Sequence, residues 1–182
     1  MSNAAKLNAG EVRPVRIFPD AVLKETCSSV QHITAGTVAV LDDLVETMLA
    51  LPRCVGLAAP QIGCLERIVV VDVSRAARPP VRNHGLLCLI NPVVVLRSGS
   101  ILSREGCVSV PEFTANVLRS ERIAIEYLDV GGNRRSIEAQ GFEAIALQHE
   151  FDHLDGLLFL DRVRPEDIFR RVAGVRSRRS SE

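Results

Sequence analysis

The sequence lacks an excess of charge, a long apolar run and a secretory signal. Its 182 residues include 22 basic and 22 acidic side chains, so no global field favours DNA as a partner. No apolar run approaches the roughly 18 residues of a membrane span. The N-terminus also lacks the apolar stretch of a signal peptide. We therefore expect a cytoplasmic protein that binds neither DNA nor membrane.

The five cysteines do not form the paired pattern of a disulfide framework, because their number is odd and their spacing is scattered. Reduced thiols are expected instead, as in the cytosol. With 47% apolar and 24% charged residues, the composition is typical of one globular domain. We expect that domain to cover residues 13–175, between a flexible N-terminal arm (1–12) and a basic C-terminal tail (176–182).

The chain does contain a His-Glu-x-x-His motif at 149–153. On a helix, a spacing of four residues places His149 and His153 on one face, about one turn apart. Two neutral imidazoles at this spacing can hold one divalent ion, and Glu150 can then take a proton from metal-bound water. The alternative is an amphipathic core helix that happens to carry two histidines.

Two shorter stretches precede this motif. Residues 54–63 combine small apolar residues with a proline and two glycines, and Gln61 is their only side chain with strong donors and acceptors. This stretch is either a tight buried turn or an active-site loop that brings its backbone and amide close to a reacting group. Residues 105–111 place Cys107 beside Gly106, although a lone cysteine near an apolar strand is usually core packing.

Hydrophobic spacing predicts three helices, at 37–51, at 142–155 and from Pro165 to about 174. Thr37 is the expected N-cap of the first, and Gly156 the C-cap of the second. Strands are predicted for the β-branched and alternating stretches at 67–73, 86–90, 92–96, 122–129 and 134–139.

In this order, the three motifs strongly resemble those of peptide deformylases, which remove the formyl group from newly made bacterial and organellar proteins. The motifs are Gly56-Leu57-Ala58-Ala59-Pro60-Gln61-Ile62-Gly63, Glu105-Gly106-Cys107-Val108-Ser109 and Gln148-His149-Glu150-Phe151-Asp152-His153-Leu154-Asp155-Gly156. The resemblance covers residues 13–170 and implies an α+β fold, with antiparallel strands wrapped around a central metal-binding helix. It implies three ligands for one divalent metal ion: Cys107, His149 and His153. Fe²⁺ is the expected ion in the cell, with Zn²⁺ or Ni²⁺ able to replace it.

The resemblance also implies the catalytic roles: Glu150 is the general acid and base, and Gln61 and the Val108 backbone N–H stabilise the oxyanion. The expected reaction is attack of metal-bound hydroxide on the formyl carbon of N-formyl-methionyl nascent peptides, with release of formate. Three residues on the His149 face are candidates for an apolar methionine pocket, or are simply core: Phe142, Ile145 and Ala146. Substrate contact is also predicted for Val55, Gly56 and Gly106.

Some residues depart from the family pattern. Cys54 stands where the family usually has glycine, Val108 replaces leucine, and Thr114 lies near the position of a family arginine. Arg119 matches a second family arginine and is expected to support Glu105. Two polar residues outside the motifs are expected to be solvated: His84, in a predicted loop at 74–85, and Glu143, off the His149 face.

Three other functions are weighed against this one. A zinc protease with the longer motif would need histidine where Phe159 stands. A protease that used Glu166 as third ligand would leave the motifs around Gln61 and Cys107 unexplained. The remaining alternatives are a non-enzymatic descendant and a deformylase with a specialised formyl peptide. The basic tail at 176–182 predicts contact with ribosomal RNA, or else a solvated tail.

Overall fold

Two antiparallel sheets and two α-helices make up the residues that the structure, a computed structural model, describes, namely 9–171. The predicted basic tail at 176–182 lies outside the described residues, as do residues 1–8 of the predicted arm. Within residues 9–171, neither helix has the length and apolar character needed to cross a membrane.

Helix α1 spans Ala35–Ala50, close to its predicted bounds. Thr34, and not the predicted Thr37, is the N-cap. The Thr34 hydroxyl accepts the Thr37 N–H at 3.4 Å, and the Thr37 hydroxyl accepts the Thr34 N–H at 3.2 Å. This reciprocal capping box satisfies two backbone donors, so the helix begins earlier than Thr37. The Glu11 N–H donates to the Asp43 carboxylate at 2.8 Å, which attaches this part of the predicted arm to α1.

Eight strands are described: β1 (Gly56–Ala58), β2 (Ile68–Val71), β3 (Leu87–Ser98), β4 (Ile101–Cys107), β5 (Val110–Arg119), β6 (Arg122–Leu128), β7 (Arg134–Gln140) and β8 (Ile168–Arg170). Five of them form a sheet in the order β1-β2-β3-β6-β7. The predicted β6–β7 hairpin is confirmed. The two strands predicted around Asn91 and Pro92 are instead one strand, β3, because the positive φ of Asn91 (51°) accompanies a register shift between Ile90 and Val93 rather than a break.

The second sheet has the order β4-β5-β8. Its last strand corrects the predicted helix at Pro165: Pro165–Asp167 makes one 3-10 turn, after which Ile168–Arg170 pairs with Phe113–Ala115 of β5. Proline at the first position does favour a helix start. Here, however, pairing with β5 and the partial burial of Ile168 outweigh that local preference.

Helix α2, Phe142–Leu154, lies against the five-stranded sheet and is buried over most of its length. Its apolar residues share one core cluster with strands β2 and β3: Leu147, Phe151, Leu154, Val69, Val71 and Leu89. Gly156 follows the helix with φ of 70°, and a Cβ there would lie 2.6 Å from the Lys24 carbonyl oxygen, so glycine is required. The predicted α+β fold, with antiparallel strands around a central helix, is confirmed.

Candidate active site

Three candidate metal ligands meet where the end of β4 approaches α2. The ligand atoms of Cys107, His149 and His153 all lie within 4.8 Å of one another. Cys107 Sγ is 3.3 Å from His153 Nε2, and the two imidazole centroids are 5.2 Å apart. A thiolate with two imidazoles is a donor set that suits borderline ions such as Fe²⁺ and Zn²⁺. The residues present therefore fit a divalent metal ion.

A buried network of charges orients His149. The Glu105 carboxylate accepts His149 Nδ1–H at 2.8 Å, which directs the other ring nitrogen, Nε2, away from this carboxylate as a free ligand. Arg119 donates to both oxygens of Glu105, at 2.7 and 2.9 Å, so the predicted support of Glu105 by Arg119 is confirmed. Burial opposes ionisation of Glu105, but hydrogen bonds from Arg119 and His149 outweigh it and lower its pKa to about 2.

The same network of charges includes Asp152 of α2, a residue that sequence reasoning missed. Arg119 Nη1 donates to Asp152 at 2.6 Å, and Arg162 Nε donates to it at 3.1 Å. Asp152 occupies a variable position of the His-Glu-x-x-His motif and is only 5% exposed. The only signal in the sequence was an acidic side chain beside Phe151 in a motif expected to be central to the fold, since an acidic group that becomes buried needs a cationic partner.

Cys107 is surrounded by groups that favour its thiolate form. The Ser109 N–H and Gln61 Nε2 each lie 3.4 Å from its sulfur. Burial opposes ionisation, but the imidazoles of His153 and His149 outweigh it and hold the pKa of Cys107 well below the ordinary thiol value. The thiolate is the form that binds a metal ion.

The hydrogen-bond partners of Gln61 determine which way its amide oxygen and nitrogen point. It lies in a 3-10 turn, Ala59–Ile62, and is 1% exposed. The Ala58 N–H can only donate, and it lies 2.9 Å from Gln61 Oε1. Nε2 therefore points the other way, towards Ser109 Oγ at 3.0 Å and the sulfur of Cys107. Of the two interpretations of this stretch, the structure favours the one that turns an amide donor towards the ligand cluster.

Glu150 lies beside the ligands with one unpaired carboxylate oxygen. Its side chain is 5% exposed, and Oε2 has no hydrogen-bond partner among the described residues. Burial raises the pKa of Glu150 to about 7, although His149 and His153 act against this shift. A carboxyl with such a pKa can both accept and release a proton near neutral pH.

Gly56 makes room for the Glu150 carboxylate, because a Cβ at residue 56 would lie 2.6 Å from Glu150 Oε1. We expect Gly56→Ala to displace that carboxylate and to lower catalytic turnover at this site by about tenfold to a hundredfold. Metal binding by the three candidate ligands should be unchanged. Steady-state kinetics and metal analysis of the purified variant would check this.

The matched control is Gly36→Ala in α1, where the nearest atom, Thr34 Oγ1, lies at an ordinary contact distance of 3.4 Å. This control is expected to keep wild-type turnover. If Gly56→Ala were equally active, the close packing of Gly56 against Glu150 would have no catalytic consequence.

These groups line one cleft of about 600 Å³. The lining includes Gln61, Cys107, Val108, His149 and Glu150. It also includes all six residues predicted to contact substrate: Val55, Gly56, Gly106, Phe142, Ile145 and Ala146. Phe142 is 40% exposed, whereas Ile145 and Ala146 are each 6% exposed. The cleft thus has buried apolar residues on α2 and an aromatic ring at its rim.

Cys54 also lines this cleft but is not a reactive thiol. Its S–H donates to the Gly56 carbonyl at 3.1 Å. Burial, together with the charge of Glu150, raises its pKa to about 12. Cys54 therefore stays protonated and packs as a small apolar side chain.

Neither of the positions that a protease would use for its third ligand, residue 159 or Glu166, provides a ligand beside His149 and His153. The ring of Phe159 stacks beside His149 with centroids 6.2 Å apart, so an apolar ring stands where the longer motif needs histidine. Glu166 has a side chain 68% exposed, 4.0 Å from Arg164 Nη1, and is not part of the ligand group. Cys107 completes the cluster instead.

The expectation that Glu143 is solvated is wrong, whereas His84 is exposed, as expected. Glu143 is 3% exposed, and its two oxygens accept the His84 N–H and the His84 Nδ1–H, each at 2.8 Å. The loop before β3 folds back over the first turn of α2 and covers this carboxylate. Both residues line a separate hollow of about 720 Å³, larger than the cleft but without the candidate metal ligands.

Comparisons of sequence and of structure with known proteins point to one family. The family model "Polypeptide deformylase" matches residues 12–168. A peptide deformylase of Thermodesulfovibrio yellowstonii is 42% identical over 159 residues, covering 86% of this chain and 93% of that protein. One from Xylella fastidiosa is 38% identical over 173 residues, covering 92% and 98%. A solved peptide deformylase from Ehrlichia chaffeensis, in complex with actinonin, gives a TM-score of 0.79 at 37% identity, over 86% of this chain and 91% of that one.

Proposed function

Since the chain belongs to the peptide deformylase family, we propose that it removes the formyl group from the N-terminal methionine of nascent polypeptides and releases formate. The observation that carries this proposal is the juxtaposition of the Cys107, His149 and His153 cluster with the unpaired carboxylate oxygen of Glu150. We place the activity in the cytoplasm. Ribosome contact through the tail at 176–182 stays a prediction from sequence.

A divalent ion held by Cys107, His149 and His153 would supply a Lewis acid and lower the pKa of a bound water. Fe²⁺ is our proposal for the cell, and Zn²⁺ or Ni²⁺ would also suit this donor set. Three protein ligands are the pattern of a catalytic rather than a structural site.

Side chains and backbone groups of the protein then transfer the proton of the attacking water and stabilise the negative charge of the oxyanion. Glu150 takes the proton of the attacking water and delivers it to the leaving amine, for which a pKa of about 7 is well matched. Gln61 Nε2 and the Val108 N–H donate to the oxyanion of the tetrahedral intermediate. The loss of one such donor typically costs about 3–4 kcal/mol of transition-state stabilisation.

Two sheet edges can hold the peptide backbone. Gly56 belongs to β1, at one edge of the five-stranded sheet, and Gly106 belongs to β4, at one edge of the three-stranded sheet. Edge strands offer backbone donors and acceptors to an extended peptide. Phe142, Ile145 and Ala146 would then receive the methionine side chain.

The test is formate release from N-formyl-Met-Ala-Ser by protein purified without oxygen and reloaded with Fe²⁺, Ni²⁺ or Zn²⁺. We expect metal-dependent release of formate, with little action on the matched N-acetyl peptide. One metal ion per chain without formate release under any of the three metals would contradict the proposed function. It would favour the alternative of a peptide-binding descendant.

A further inference from the structure

Three arginines line the outer part of the cleft: Arg53 before β1, Arg104 on β4 and Arg171 after β8. All three are exposed. The carboxylates of the cleft, Glu105 and Glu150, are instead buried at its floor. None of the ion pairs found within residues 9–171 involves any of these three arginines. The entrance of the cleft is therefore positively charged.

Arg104 is held in place by neutral groups. Its Nε donates to Thr114 Oγ1 at 2.9 Å, its Nη1 lies 3.4 Å from Asn116 Oδ1, and its guanidinium carbon is 3.8 Å from the centre of the Phe169 ring. These contacts orient the guanidinium without neutralising it. A charge ordered in advance loses less entropy when it binds a partner. Thr114 lies near the position of a family arginine, and Arg104 on β4 provides a cation directly beside it.

Arg171 lies at the Cys107 end of β4. Its backbone N–H donates to the Glu112 carbonyl at 2.7 Å, which places it beside β5. Its guanidinium covers Gly106, since a side chain added there would collide with Arg171 Nη2. Gly106 directly precedes Cys107, so this cation borders the path by which a peptide leaves the ligand cluster.

The spacing along β4 indicates which part of a peptide meets these cations. An extended chain advances about 3.3 Å per residue, so Arg104 stands about 10 Å along the strand from Cys107. A peptide with its formyl group at Cys107 that ran along β4 towards Arg104 would carry the two residues after methionine through the space between Arg171 and Arg104. A carboxylate there is attracted and an ammonium repelled, and salt screens both effects because the arginines are exposed.

We infer that this chain prefers formyl-methionyl peptides with an acidic side chain in the first two positions after methionine. The inference rests on the proposed deformylase function and adds a charge preference to it. Arg104 and Arg171 are its specificity-determining residues, and they act on the downstream side chain rather than on the formyl group.

The test compares kcat/KM for C-terminally amidated N-formyl peptides, so that no terminal carboxylate interferes: Met-Ala-Ser, Met-Glu-Ser, Met-Ala-Glu and Met-Lys-Ser. We expect the acidic peptides to exceed the neutral one by about three- to tenfold, the lysine peptide to fall below it, and the differences to shrink in about 0.5 M salt. Equal kcat/KM values for all four peptides would overturn the charge preference but leave the proposed function intact. Failure to hydrolyse any of the four peptides would overturn both the charge preference and the proposed function.

Substitutions assign the preference to these residues. Arg104→Gln with Arg171→Gln is expected to bring the acidic-to-neutral ratio close to one. Arg122→Gln removes the same charge from an exposed position outside the cleft and is expected to keep the wild-type ratio. A double variant that retained the wild-type ratio would show that the two arginines do not select the peptide.

Discussion

Glu150→Gln is expected to lower the turnover of a formyl-methionyl peptide by about a hundredfold to ten-thousandfold while the metal stays bound. Glutamine keeps the size of the side chain beside Gly56, and Glu150 is not one of the three candidate ligands. The amide, however, cannot take a proton from water or return it to the leaving amine. Formate release per bound metal ion measures the effect.

The matched control is Glu143→Gln, which makes the same change at a buried carboxylate of the same helix. Glu143 is bonded to His84 and lies outside the cleft, so turnover should stay within about threefold of the wild type. Full turnover by a fully metallated Glu150→Gln protein would remove Glu150 from the proton-transfer role.

Arg119→Met is expected to have the largest effect on stability, about 3–5 kcal/mol in the free energy of unfolding. The substitution keeps much of the side-chain volume but withdraws the cation that lies between Glu105 and Asp152, all three of them buried. Glu105 then keeps only His149 as a partner, and Asp152 keeps only Arg162, whose side chain is 45% exposed. Urea denaturation of metal-loaded protein measures the difference.

The pH dependence of stability should change in the same variant. The pKa of Glu105, about 2, lies below its ordinary value of 4.5. Ionised Glu105 therefore stabilises the fold above pH 4.5, and this contribution of about 3 kcal/mol is lost as the pH falls towards 2. Without Arg119 the pKa rises, so the loss should begin at higher pH. Acid unfolding curves of the two proteins test the shift.

Arg135→Met provides the comparison for both measurements. Arg135 pairs with Asp129 at 2.8 Å, but its side chain is 52% exposed, so its loss should cost less than about 1 kcal/mol. If Arg119→Met were no less stable than Arg135→Met, the buried network would not be a source of stability.

The local part of this site follows from sequence, because helical spacing alone brings His149 and His153 together. Cys107 and Gln61 come from other elements, and no local pattern indicates that they approach the helix. The family resemblance supplied them. The role of Asp152 was missed for the same reason, since its partner Arg119 lies on a distant strand.

Two wrong predictions have a similar cause. The proline at residue 165 is a sound helix signal, yet β8 forms there because β5 offers a free edge to Ile168–Arg170. Glu143 was expected to be solvated because only its own helix was considered, and the loop carrying His84 then covered it. Local preference cannot include groups that arrive from elsewhere in the chain.

The three candidate ligands come from two separate parts of the fold, which has a consequence for quality control in the cell. Cys107 belongs to the three-stranded sheet, whereas His149 and His153 stand on the helix packed against the five-stranded one. A chain in which only one half has folded has at most two of the three candidate ligands in place. Metal retention would therefore report that both halves are assembled, and partly assembled chains would remain inactive apoproteins rather than faulty catalysts.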